Sequence, residues 1–75
     1  MSRPDDNARI DLSELGNARR WDRLIETARK EQRSPLYTEY EQTFIRDMIQ
    51  RNDTERPIWN PSRKQYNMLH TLMTG

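Results

Sequence analysis

The chain has 75 residues, of which 33% are charged and 32% hydrophobic, with 13 Lys+Arg against 12 Asp+Glu, a net charge of +1 and no cysteine. A protein of this length hides only about 60% of its unfolded surface, which excludes barrels and doubly wound sheets and leaves one small core. Without cysteine there is no disulfide and no thiolate metal cluster, so stability rests on packing or on a partner.

No apolar run approaches the roughly 20 residues of a membrane span, and MSRPDDNARI lacks the apolar stretch of a secretory signal, so a cytoplasmic protein without membrane contact is expected. Charge alternates along the sequence: residues 1–16 carry −2, residues 17–34 +3, residues 35–53 −2 and residues 54–75 +2. Such blocks attract one another as readily as they attract an outside anion.

Residues 1–10 hold only Met1, Ala8 and Ile10 as apolar members and are expected to form a flexible, disordered tail. Residues 11–75 then form a single domain. Leu12 and Leu15 are expected to touch its core, with Gly16 breaking a short turn. Between 17 and 33 the positions of Ala18, Trp21, Leu24, Ile25 and Ala28 follow helical spacing, with Asn17 as cap and Ser34-Pro35 as stop. A second helix over 38–51 opens with Thr38-Glu39-Tyr40-Glu41, a capping box, and carries Tyr37, Tyr40, Phe44, Ile45, Met48 and Ile49 on one arc. Glu41 is read either as part of that box or as a semi-buried acid facing an arginine. The stretch from Asn52 to Asn60 is a connector whose Ile58 and Trp59 are expected to plug the core. A third helix over 61–74 starts at Asn60-Pro61 or is capped by Ser62, and places Tyr66, Leu69, Leu72 and Met73 on one face. The fold expected is all-α: a small three-helix domain with both tryptophans in its core.

Catalytic equipment is scarce. His70 is the single imidazole, the serines lie in turns or the tail, and Glu39 and Glu41 point to different sides of their helix. Metal spacings and glycine-rich phosphate loops are absent from the sequence. A non-enzymatic protein with no cofactor and no bound metal is expected.

Binding remains, and 11 of the 13 basic residues are Arg, whose fork suits carboxylate or phosphate. Arg19, Arg23, Lys30 and Arg33 form a stripe at helical spacing. Glu26 lies within it at the spacing of surface ion pairs to Arg23 and Lys30, so the stripe is also readable as a solvated face. Arg63 and Lys64, next to Trp59 at the start of the third helix, form a second candidate surface.

Thr38-Glu39-Tyr40-Glu41-Gln42-Thr43-Phe44-Ile45, followed by Ser62-Arg63-Lys64-Gln65 and Leu69, resembles a two-helix pattern of small phage and plasmid proteins associated with DNA metabolism. Tyr40 stands where Trp is common in that pattern, and Arg63 where Pro is common. The resemblance covers residues 36–73 and leaves residues 1–35 without a counterpart. It implies a mobile element and a DNA-handling setting, and it supplies no catalytic residue.

The leading expectation is a phage-type protein that docks through Arg19, Arg23, Lys30, Arg33, Arg63 and Lys64 on a host protein of nucleic-acid metabolism and modulates or inhibits it, as in host takeover. The alternative is direct DNA or RNA binding by the same cations. A third reading, a homodimer, uses the four Met and three Tyr as a seam.

Overall fold

The structure, a computed structural model, describes residues 8–56 and 58–74. It contains three helices: α1 (Leu15–Glu31), α2 (Glu39–Glu55) and α3 (Arg63–Thr74). α1 is the shared partner, packing on both α2 and α3. Among the described residues no helix is long and apolar enough to cross a membrane.

α1 forms because Trp21, Leu24, Ile25 and Ala28 recur at helical spacing, and all four are buried. It begins two residues before the expected start. Gly16 lies inside the helix instead of breaking it, since the Asp11–Glu14 turn is already fastened: the Ser13 N–H and hydroxyl donate to Asp11 Oδ1 at 2.9 and 2.6 Å. The cap position falls on Glu14, and Asn17 sits in the first turn, where its Nδ2 donates to Glu14 Oε2 at 2.8 Å. Leu12 is buried, whereas Leu15 is 65% exposed and contributes nothing to the core. At the other end the helix stops at Glu31, with Arg29 and Lys30 in the last turn beside its negative pole.

α2 is opened by the expected capping box: Thr38 Oγ1 accepts from the Glu41 N–H at 3.1 Å, and Glu41 Oε1 accepts from the Thr38 N–H at 2.8 Å. Glu41 is therefore a capping residue. The helix continues to Glu55, past the Asn52-Asp53 pair expected to end it. Both residues have poor helix propensity, but each has a tertiary partner that overrides it. The Trp21 indole N–H donates to Asn52 Oδ1 at 3.0 Å. Arg29 grips Asp53 with both terminal nitrogens, Nη1 donating to Oδ2 at 2.9 Å and Nη2 to Oδ1. Arg56, extended as a residue before proline prefers, ends the helix and pairs with Asp22 of α1.

α3 is capped by Ser62, whose Oγ accepts from the Gln65 N–H at 3.1 Å while Gln65 Oε1 accepts from the Ser62 N–H at 2.9 Å. This is a second reciprocal box, with Gln in the place of Glu. Residues 8–10, expected in the tail, are fastened to the start of this helix. The Ile10 N–H donates to the Pro61 carbonyl at 2.7 Å, the Arg63 N–H to the Ala8 carbonyl at 2.8 Å, and Arg9 and Ser62 form an antiparallel bridge. The rest of the expected tail, residues 1–7, lies outside the described residues.

The core consists of Leu12, Trp21, Leu24, Ile25, Ala28, Ile45, Met48, Ile49 and Leu69, with Trp59, Tyr66, Phe44 and others packed against it. Trp21 is 0% exposed, and its ring centre lies 5.9 Å from that of Trp59 and 6.2 Å from that of Tyr66. Trp59 thus plugs the core as expected. Ile58 does not: it is 94% exposed, because one connector residue turning inward sends its neighbour out. Tyr40, expected on the apolar arc of α2, is also exposed.

Two outcomes follow from these contacts. Asn52→Ala strips the buried indole N–H of its acceptor and is expected to cost about 1–3 kcal/mol in chemical denaturation. A loss no larger than the ~0.5 kcal/mol of an ordinary surface change would show that this N–H reaches water instead. The second outcome concerns acid. The hydrogen bond from Arg29, aided by its charge, holds the Asp53 carboxyl below its ordinary range. As pH falls from the ordinary carboxylate value toward the lower folded value, the unfolded state takes up a proton that the folded state still refuses, so stability declines across that window. Both side chains are more than one third exposed, so the effect is modest. Asp53→Asn is expected to flatten the acid limb of a melting-temperature profile; an unchanged limb would remove the pair from the account.

Candidate binding face between α1 and α3

The two shoulders of α1 differ in what their charges meet. Toward α2, Asp22 and Arg29 are paired with Arg56 and Asp53. Within α2, Arg51 bonds Asp47 at 3.1 Å and lies 3.6 Å from Glu55. These cations are spent on the fold itself.

Toward α3 the picture is reversed. α3 contains no Asp or Glu. A concavity of about 320 Å3 runs between Arg20, Arg23 and Thr27 of α1 and Tyr66, His70 and Met73 of α3, with Leu24 also contributing to its wall and no carboxylate lining it. It shares Arg20 and Tyr66 with a second concavity of about 340 Å3 that Arg9 and Arg63 also line. At the opposite end it shares Met73 and Thr74 with a third, of about 730 Å3, that Lys30 and Arg33 line beside the 90% exposed Leu36. One seam along α1 and α3 therefore carries Arg9, Arg63, Arg20, Arg23, Lys30 and Arg33. None of the six makes a salt bridge with another described residue.

Carboxylates occur only at the two ends of the seam, and each takes hydrogen bonds from neutral local donors. Asp11 accepts from Ser13, whose side-chain and then backbone hydrogen bonds hold the Asp11 carboxyl below its ordinary range. Glu14 accepts from Asn17, Glu41 from the Thr38 N–H, and Glu31 from the Tyr37 hydroxyl at 2.8 Å. The single proton of that hydroxyl is shared between Glu31 and the Leu72 carbonyl, 3.2 Å away, which ties the α1–α2 turn to the end of α3. Burial first, and then the hydrogen bond and charge of Glu31, raises the Tyr37 hydroxyl above its ordinary value, so it remains a donor.

Of the six residues singled out from sequence, the fold brings Arg23, Lys30, Arg33 and Arg63 onto this seam. Arg19 and Lys64 are exposed but line none of its three concavities. Glu26, placed by spacing to pair with Arg23 and Lys30, makes a salt bridge to neither. Of the second surface, the Trp59 ring is half-buried against Trp21, while Arg63 and Lys64 are both exposed and sit about 100° apart around α3 as adjacent helical residues. Arg9 and Arg20 were not singled out from the sequence, and His70, noted there only as the single imidazole, was not placed on a binding surface. For Arg20 the available signal was its angular position: at about 100° per residue it lies on the shoulder of α1, between the outward Arg19 and the inward Trp21.

Chemically the seam can hold anionic groups over an apolar floor. The exposed His70 stacks on Tyr66 at 6.2 Å, and no hydroxyl or carboxylate among the described residues hydrogen-bonds its ring. Among the described residues no group of three or more His, Cys, Asp or Glu is placed to hold a metal ion.

The sequence matches no protein-family model, no curated protein and no solved structure.

Proposed function

We propose that this protein is a non-enzymatic binding module whose α1–α3 seam docks on an acidic surface of another protein. The observation that carries this reading is a concentration of unpaired charge: Arg29, Arg51 and Arg56 are paired with internal carboxylates, whereas Arg9, Arg20, Arg23, Lys30, Arg33 and Arg63 have no such partner among the described residues and share one seam, with Arg19, Arg46 and Lys64 also unpaired but scattered off it. Leu24, Tyr66 and Met73 line its middle. Arginine, aromatic residues and methionine are the types enriched where proteins bury surface against one another. The resemblance of residues 36–73 to small phage and plasmid proteins gives the setting: the partner belongs to nucleic-acid metabolism in the host cytoplasm, and docking modulates or inhibits it.

Direct nucleic-acid binding is the second reading, favoured by the row of cations without salt bridges. Two features weigh against it. The net charge is only +1, and the seam has carboxylates at both ends. A phosphate backbone rewards an uninterrupted cationic track, with a log–log salt slope of about −0.9 for each phosphate contacted on duplex DNA.

Charge reversal separates these readings. Arg20→Glu with Arg23→Glu is expected to abolish capture of a specific partner from host lysate at physiological salt, while Arg19→Glu with Lys64→Glu, off the seam, retains it. Gel shifts of duplex DNA across a salt series should be absent or non-specific. Equal loss from both double variants would refute docking through the seam, and a steep, seam-dependent shift of DNA would transfer the function to nucleic acid.

A further inference from the structure

Three arginines distant in sequence meet at one end of the seam. Arg9 comes from the N-terminal segment, Arg20 from α1 and Arg63 from the first turn of α3, and all three line the same concavity of about 340 Å3. Their positions are set by the fold. The Arg63 N–H is bonded to the Ala8 carbonyl and Arg9 bridges Ser62, so Arg9 and Arg63 are carried on a pair of hydrogen-bonded backbones. Arg9 Nη1 donates to the Asn60 carbonyl at 3.1 Å, and Arg20 Nη2 to Asn17 Oδ1 at 3.0 Å. Neutral acceptors thus orient two of the guanidiniums without cancelling their charge, and the donors left over on all three remain available. Holding these groups before a ligand arrives lowers the ordering cost of binding.

Asp11 and Glu14 line the same concavity, so its formal charge is +1. One carboxylate neutralises that balance, whereas a phosphomonoester dianion overshoots it and repels the two resident acids. The flat guanidinium fork fits carboxylate and phosphate alike in two parallel hydrogen bonds, so the choice between them rests on this charge balance.

We propose that the Arg9–Arg20–Arg63 concavity is an anchor for a single carboxylate of the docked protein, supplied either by an Asp or Glu residue or by the partner's C-terminus. This rests on the docking reading above and adds the chemical group that the partner must present.

The test is an NMR titration of the arginine Nε–Hε resonances in the 75-residue protein at fixed ionic strength. Three probes are used: a hexaglutamate peptide capped at both ends, a neutral peptide with a free C-terminal carboxylate, and inorganic phosphate. The expected result is saturable movement of the Arg9, Arg20 and Arg63 signals with at least one peptide, weakened about tenfold by Arg63→Gln, the scale of one charge-assisted bond. Which peptide binds identifies the source of the carboxylate. The Arg63→Gln variant keeps the backbone bond to Ala8, and circular dichroism checks its fold. Tighter saturation by phosphate than by either peptide overturns the carboxylate assignment. Movement of Arg23 without the trio overturns the anchor and leaves the docking seam standing. No movement of any arginine overturns both.

Discussion

The molecule is organised by the need to bury one indole completely. Trp21 presents a large apolar surface and a single N–H, and a buried donor must find an acceptor. Asn52 supplies it from α2. The ring is flanked by Trp59 of the connector, tilted against it, and by Tyr66 of α3, stacked on it. One residue of α1 is therefore in contact with α2, the connector and α3 together, which is why α1 is the helix that both others share. It also explains why α2 runs on through Asn52 and Asp53, since ending it there would leave the indole and Arg29 without partners. No buried side-chain nitrogen or oxygen among the described residues lacks a hydrogen bond.

This arrangement divides the surface of α1 into unequal halves. Covering Trp21 with α2 brings Asp22 and Arg29 against Arg56 and Asp53, so charge on that side is consumed in holding two helices together. Such partly exposed pairs contribute modestly to stability, but they remove those cations from any outside role. α3 covers the other side with a segment that has no acid to offer. The cations there have aromatic and aliphatic neighbours instead. The asymmetry is thus a consequence of which helix carries the carboxylates.

Features decided within one turn of helix were legible in the sequence. The spacing of Trp21, Leu24, Ile25 and Ala28 identified both a helix and its buried side, and Thr38 with Glu41 identified the start of α2. Ser62 with Gln65 works by the same local geometry. Features decided by distant partners were not legible. Residues 8–10 lack the apolar content to order themselves, and they are held by backbone bonds to a segment far along the sequence, at Pro61–Arg63, which leaves no trace in local composition. Ile58 and Trp59 are both large and apolar, and the position of Trp21 decides which of them turns inward. The candidate seam was half legible for a related reason. Periodicity separates the inside of a helix from its outside, and so it singled out Arg19, which faces away from the core. A binding seam lies on the shoulder beside a neighbouring helix, and locating that shoulder for Arg20 requires knowing where α3 packs.

So small a set of buried side chains, in a protein of 75 residues, leaves a narrow stability margin, and anything bound at the seam would be coupled to it. Arg9 reaches the seam only while residues 8–10 are paired with Pro61–Arg63, and Arg63 only while α3 is capped and docked on α1. A ligand that engages Arg9, Arg20 and Arg63 together therefore recognises a site that the unfolded state does not possess. Such a ligand stabilises the fold by mass action, in proportion to the logarithm of its concentration over its dissociation constant. At about 100 times the dissociation constant the increment is about 2.7 kcal/mol, a large fraction of the about 4–11 kcal/mol that roughly 0.05–0.15 kcal/mol per residue gives a domain of this length. A partner bound there would act on the fold as well as on the surface: it would fasten the N-terminal segment to α3 from outside, adding to the two backbone hydrogen bonds and the contacts of Arg9 and Leu12 with Asn60 that hold it from within.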